Sequence, residues 1–354
     1  SRIKLHLNDY ITYSLYNEVF SNAPDQFHLL PSLLSPQTSY PLIGLCRSNP
    51  HNRLLNWQFD TGIKRKLRLP LHPTTNQPIC ACGTMVDIFG DHIFKCTRIC
   101  KIGIHNHNAI RNSSAHALAP VLSTAGFVPP NSTVDTEPNF YLPFDPHSHL
   151  FDLSFDPHPA VPPHVHHGCS YSTIGADITI SCSPPVPSFD PTSPDVIHTV
   201  TANAASHLQT YEKRKLDHVN KRNPSTAMMT NGDTLIGDLL SRDMILLPFA
   251  IDPLGRFGPI LEHFLFGSHD PPPISFPASK PNATRMYSKL FQYPSPKGIL
   301  RLAEHNWNSS PTRQFYDHSY LAPTPSITNI QKLDLSITKA FALHVRYASR
   351  KFID

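Results

Sequence analysis

The chain has 354 residues, enough for two or three modules of ordinary size. Its 37 prolines, about 10% of the chain, are roughly twice the usual share, while its 14 glycines fall below theirs, which excludes a collagen repeat and a flexible glycine-serine linker. A hydrophobic share of 40% excludes wholesale disorder, no run approaches the roughly 18 apolar residues of a membrane span, and a net charge of +4 permits nucleic-acid binding without arguing for it.

In chain order, residues 1–60 carry short aromatic-rich stretches (Tyr10, Tyr13, Tyr16, Phe20) broken by Pro24, Pro31, Pro36 and Pro41, and no chemistry is assigned to them. Ser1 to Tyr10 is too charged for the apolar centre of a secretory signal. From Gly62 to Leu71 the run GIKRKLRLPL places Lys64, Arg65, Lys66 and Arg68 within five residues, as a solvated helix end or as an edge that contacts phosphates. A Cys/His stretch occupies 80–107, and a helix is expected from Asn108 to Leu122, with Gly126 just past its end as a stop signal. HLFDLSFD (149–156) and GADITISC (175–182) alternate apolar and polar residues and predict two half-buried strands, joined by a proline- and histidine-rich insertion in a hairpin. A helix over about 202–221 and a continuous apolar strand, MILLPFAI at 244–251, complete a strand, strand, helix, strand order. Residues 269–296 read as a proline-rich linker, and a last amphipathic helix is expected over about 330–350.

Two constellations carry chemistry. Cys80, Cys82, His92 and Cys96 follow the spacing C-x-C-x9-H-x3-C, two tight pairs on either side of a turn, which is what a tetrahedral structural zinc requires. The alternative is a set of cysteines that merely pack, with Cys100, His105 and His107 as substitute ligands. Seven cysteines, four of them between Cys80 and Cys100, fit a reducing compartment better than a disulfide framework, so an intracellular protein, nuclear or cytoplasmic, is expected. Asp152 and Asp177 lie on the polar faces of neighbouring strands, where two carboxylates can hold a hard cation such as Mg²⁺ beside a phosphodiester. On the following helix, counting 100° per residue from Leu208, Lys215 falls at about 340°, inside the apolar stripe, with Glu212 at about 40°. Lys213, at about 140°, points to solvent. A lysine in the stripe either meets an anion or snorkels at its margin. His158, His164, His166, His167 and Cys169 read as a low-complexity insertion rather than a metal site. GxxxxGK[ST], GxGxxG, HExxH and GxSxG are all missing, so no small-molecule cofactor is expected.

The order LRLPLHP, CACG, VDIFGDHIFKC, HNAIR (His107 to Arg111), Glu137-Pro, a strand with Asp152, ADITIS with Asp177, a helix with Glu212 and Lys215, and LLPFAIDPLGRFGP resembles the region downstream of the reverse transcriptase in non-LTR retrotransposon-like polyproteins. The resemblance covers about residues 60–265. It implies an α/β chain in which the end of a reverse transcriptase thumb (1–60) is followed by a zinc knuckle (61–107). A restriction-endonuclease-like PD-(D/E)XK domain of mixed sheet and flanking helices (108–268) and a linker with helical tail (269–354) would complete it. It further implies a Mg²⁺-dependent DNA endonuclease that nicks target DNA, the alternative being an inactive nucleic-acid-binding module of a decayed element. Cys80, Cys82, His92 and Cys96 would hold zinc. Asp152 and Asp177 would hold Mg²⁺, Lys215 would be the catalytic lysine moved onto the helix, and Glu137 would be an additional acid. Lys64, Arg65, Lys66, Arg68, His107 and Arg111 would contact DNA, and RNA as a further partner, with no membrane involved. Phe151 stands where the family has the proline before its first Asp, and Thr179 where it has its lysine. The reverse transcriptase signature, an aromatic-x-Asp-Asp turn, does not occur.

Overall fold

The structure is a computed structural model and describes residues 54–66, 69–72, 75, 77–96, 98–99, 101–129, 132–137, 151–156, 173–181, 196–221, 235–241, 244–252, 254–267, 298–308, 325–350 and 352–353. Residues 1–53, the 269–296 linker, Arg68, Cys100 and the run holding His158, His164, His166, His167 and Cys169 lie outside the described residues, as do the side chains of Lys66 and His105.

Its elements are α1 (Asn56–Lys66), β1 (Ile79–Cys80), α2 (Asp91–Lys95), α3 (Lys101–Thr124), β2 (Asp135–Thr136), β3 (Leu153–Phe155), β4 (Thr173–Ile180), α4 (Val196–Lys221), α5 (Leu235–Ser241), β5 (Met244–Ile251), α6 (Pro259–Phe266), α7 (Gly298–Asn308), α8 (Pro325–Ser349) and β6 (Phe352–Ile353). The expected helices are there but begin earlier. Lys101 rather than Asn108 opens α3, so His105 and His107 belong to that helix and not to the Cys/His stretch, and Gly126, in the left-handed conformation at φ 73°, ends it as expected.

β2, β3, β4 and β5 form one mixed sheet in that order: β2/β3 and β3/β4 are antiparallel, and β4/β5 are parallel over eight residue pairs from Thr173↔Met244 to Ile180↔Ile251. The hairpin and the parallel return both match the order expected from the sequence. Parallel neighbours need a crossover, which α4 and α5 supply. Every residue of β5 is buried because α4, α5 and α6 cover it, which is why its sequence is apolar throughout instead of alternating. Pro248 is tolerated inside it because β5 pairs with one neighbour only among the described residues, and a missing N–H costs little on the open edge. The tail is not a separate appendage. α8 packs along α3 and α1, α7 packs on α6 and α3, and β6 pairs with β1 through Ile79↔Ile353 and Cys80↔Phe352.

Candidate functional site

The Cys/His cluster is built by a turn and a helix. The Cys80 carbonyl accepts the Gly83 N–H at 2.7 Å and the Cys80 N–H reaches the Thr84 carbonyl at 2.9 Å, closing a tight turn in which Gly83 adopts φ 84°. The turn leaves Cys80 buried and Cys82 exposed, two residues apart on one rim. Asp87 organises the other pair: its carboxylate accepts the N–H groups of Phe89 and Asp91 at 3.0 Å and of His92 at 2.7 Å, anchoring the start of α2, and Cys96 follows at its end. Sequence reasoning passed over Asp87, whose signal was an acid just ahead of a short helix.

The Cys80 and Cys96 Sγ atoms lie 3.5 Å apart, the Cys82 Sγ lies 3.3 Å from His92 Nε2, and the four ligand atoms are all within 4.8 Å of one another. A tetrahedral zinc with bonds near 2.3 Å to sulfur needs ligand separations of about 3.8 Å, so this set fits zinc with small adjustments. Burial pushes the Cys80 thiol up to about 11, whereas hydrogen bonds from Thr84 bring exposed Cys82 down to about 6. A cation is what would let all three thiols ionise together.

The second cluster gathers just ahead of the first residue of β3. Pairing between β3 and β4 runs out at Leu153↔Ala176, with the Asp152 N–H still donating to the Ala176 carbonyl at 2.9 Å. The next β4 residue facing that side, Ile178, has lost its strand partner. Its N–H donates instead to Asp152 Oδ2 at 2.7 Å, and its carbonyl accepts from His107 Nε2 on α3 at 2.9 Å. His107 Nε2 also lies 3.1 Å from Asp152 Oδ2. Asp177, on the opposite face of β4 from Ile178, turns toward α4, where Lys215 Nζ lies 2.8 Å from its Oδ2. The Asp152 and Asp177 carboxyls lie close enough to perturb each other's proton affinity.

Electrostatics follows the geometry. Burial, aided by Asp152, pushes the Asp177 carboxyl up to about 7 despite the opposing pull of Lys215. Burial also works to raise Asp152, but the hydrogen bond and charge of His107, with the Ile178 N–H, hold it below the usual carboxylate range. The same hydrogen bond raises His107 above its ordinary value. Two neighbouring carboxyls with diverging proton affinities are an arrangement that catalytic sites share with structural ion-pair networks.

Two glycines make room for this arrangement. A Cβ on Gly175 would fall 2.3 Å from the Phe151 ring, so the ring lies flat on the strand next to the Asp pair. A Cβ on Gly258 would fall 2.3 Å from Glu212 Oε1, and that fully buried carboxylate accepts the Ile260 N–H at 3.0 Å at the start of α6. Glu212 therefore ties α4 to α6, and burial raises its pKa well above the ordinary value. Further along, Ser181 Oγ lies 3.0 Å from His207 Nε2, so α4 runs antiparallel over β4, with Lys215 above Asp177 and His207 above Ser181.

Other expected site residues are placed differently. Glu137 directly follows β2; its backbone N–H donates to the Asp152 carbonyl at 2.9 Å, but its carboxylate pairs with Arg111. Arg111 is buried and also donates to Asn112 Oδ1 at 3.1 Å, so its guanidinium faces its own chain and not an open phosphate-binding surface. His107 belongs to the carboxylate cluster. Within the basic run, Arg65 is 5% exposed and its guanidinium sits 4.1 Å over the Phe94 ring and 5.8 Å from the Phe341 ring, wedged between the α2 and α8 side chains. Lys64 remains partly exposed and pairs with Asp60 at 2.9 Å. The run is thus not a single row of free cations. Lys213 is half-buried rather than fully in solvent. No helix among the described residues is long and apolar enough to cross a membrane. Among known proteins, no family model, no curated protein and no solved structure matches this chain.

Proposed function

We propose that the chain carries a divalent-cation-dependent DNA endonuclease site on a restriction-endonuclease-like core, preceded by a structural zinc knuckle. The observation that carries this reading is the placing of Asp152, just ahead of β3, near enough to Asp177 to perturb its proton affinity, with Lys215 Nζ 2.8 Å from Asp177. The mixed sheet with α3 before it and α4 crossing between its parallel strands supports the core assignment. Asp152 and Asp177 are the residues that would hold Mg²⁺, their oxygen chemistry fits that ion, and their crowding is relieved by positive charge. Bound there, the cation supplies Lewis-acid neutralisation of phosphodiester charge. Lys215, anchored on α4 with its ammonium partly exposed, adds a fixed positive charge beside the reacting phosphate.

The test is nicking of supercoiled plasmid DNA with Mg²⁺. Asp177→Ala is expected to lose activity on the order of 100-fold or more, and Lys215→Ala to weaken cleavage more than DNA binding. Cleavage by Asp177→Ala at the parent rate would overturn the reading. Thr179, standing where the resembled motif has its lysine, favours a second reading, a nucleic-acid-binding module without catalysis; salt-sensitive DNA or RNA binding with no nicking by the parent would select it.

A further inference from the structure

His107 Nε2 is held by two oxygens at once, Asp152 Oδ2 at 3.1 Å and the Ile178 carbonyl at 2.9 Å. Both are acceptors, so the ring nitrogen carries the hydrogen and directs it between them. A carboxylate oxygen and a backbone carbonyl side by side are oxygen ligands of the kind a hard cation takes. The ring of His107 is therefore seated where positive charge is wanted.

We infer that His107 is a placeholder for the cation: its N–H occupies the position between Asp152 and the Ile178 carbonyl, and it must swing away for a divalent metal ion to enter. This rests on the reading of Asp152 and Asp177 as a cation site and adds the residue that competes for it. The position arises from the sheet itself. β3 begins only at Leu153, too late to pair with Ile178, so Asp152 takes the N–H and the carbonyl is left for a donor from α3. His107 is partly exposed, at 29% of its side chain, so the ring has somewhere to go; Asp152, at 17%, stays where the Ile178 N–H holds it. A ligand role for His107 is the opposite proposal, because a ligating nitrogen offers a lone pair to the metal and cannot also donate a hydrogen to these oxygens.

Titration of the full zinc-loaded chain with Mn²⁺, read from loss of the free-ion electron paramagnetic resonance signal, separates the cases. His107→Ala is expected to bind Mn²⁺ roughly 10- to 100-fold more tightly than the parent, because the incoming ion no longer has to break a charge-assisted hydrogen bond. Equal affinity would mean that His107 only caps the Ile178 carbonyl, and weaker affinity would make it a ligand; either overturns the inference. If neither protein binds the ion, or Asp177→Asn leaves binding unchanged, the cation site itself is wrong and the placeholder falls with it. Should His107→Ala fail to fold, the parent still decides: added Mg²⁺ must shift the His107 ring resonances in ¹⁵N-edited spectra, and an unmoved ring refutes the idea.

Discussion

Gly175→Ala tests whether the site is held by the flat packing of Phe151 on β4. Gly175 pairs with Ser154 in the middle of the sheet, and no positive φ is needed there, so alanine brings no backbone strain. The new methyl is the whole perturbation. It would sit 2.3 Å from Cγ and Cδ1 of Phe151 and 2.5 Å from Cδ2, so an ordinary contact near 3.4 Å requires the ring to retreat by about 1 Å. Phe151 is 1% exposed and has no solvent to retreat into, which places the cost at roughly 1–3 kcal/mol for an overpacked core. Phe151→Ala alone should cost about 3–5 kcal/mol. In the double variant the alanine methyl enters space the ring has left, so its loss should fall short of the sum by about 1 kcal/mol or more. Urea unfolding of the four proteins, compared at constant m, measures this. Additivity within about 0.5 kcal/mol would refute the packing argument. Because Asp152 is the next residue, cation binding should weaken in Gly175→Ala in proportion to the ring's displacement.

The remaining predictions concern the two clusters. Elemental analysis should find about one zinc per chain, and chelation, Cys80→Ser or Cys96→Ser should each lower the melting temperature, since metal binding to so small a module is also folding free energy; protein free of zinc yet equally stable contradicts it. Asp177 binds its proton more tightly folded than unfolded, so its contribution to stability is present below about pH 4 and is lost as pH rises toward about 7. Without added divalent ions, Asp177→Asn should flatten stability across that window and match or exceed the parent at neutral pH, as a residue kept for chemistry rather than for stability would. Chemical denaturation at pH 4 and pH 7.5 checks both points.

How much of this was legible in the sequence depends on the range of the interaction. The strand MILLPFAI announced itself because burial on both faces leaves no polar alternation to hide it, and Gly126 marked a helix end because only the local backbone needs it. Cys80, Cys82, His92 and Cys96 were readable as a set for the same reason: the turn at Gly83 and the short helix α2 are local, so spacing already encodes geometry. The helical count that put Lys215 in the apolar stripe was sound, but only the packing of α4 against the sheet through β5 brought Lys215 to the anion it meets, Asp177 of β4. Tertiary structure also reassigned charges that sequence reads alike. Arg65 and Arg111 looked like free cations beside Lys64, yet one is stacked on Phe94 and the other pairs with Glu137. His107 stands 45 residues from Asp152 and 71 from Ile178, and no local pattern links them. Their meeting follows from where β3 happens to begin, a property of strand pairing across the sheet and of no segment by itself.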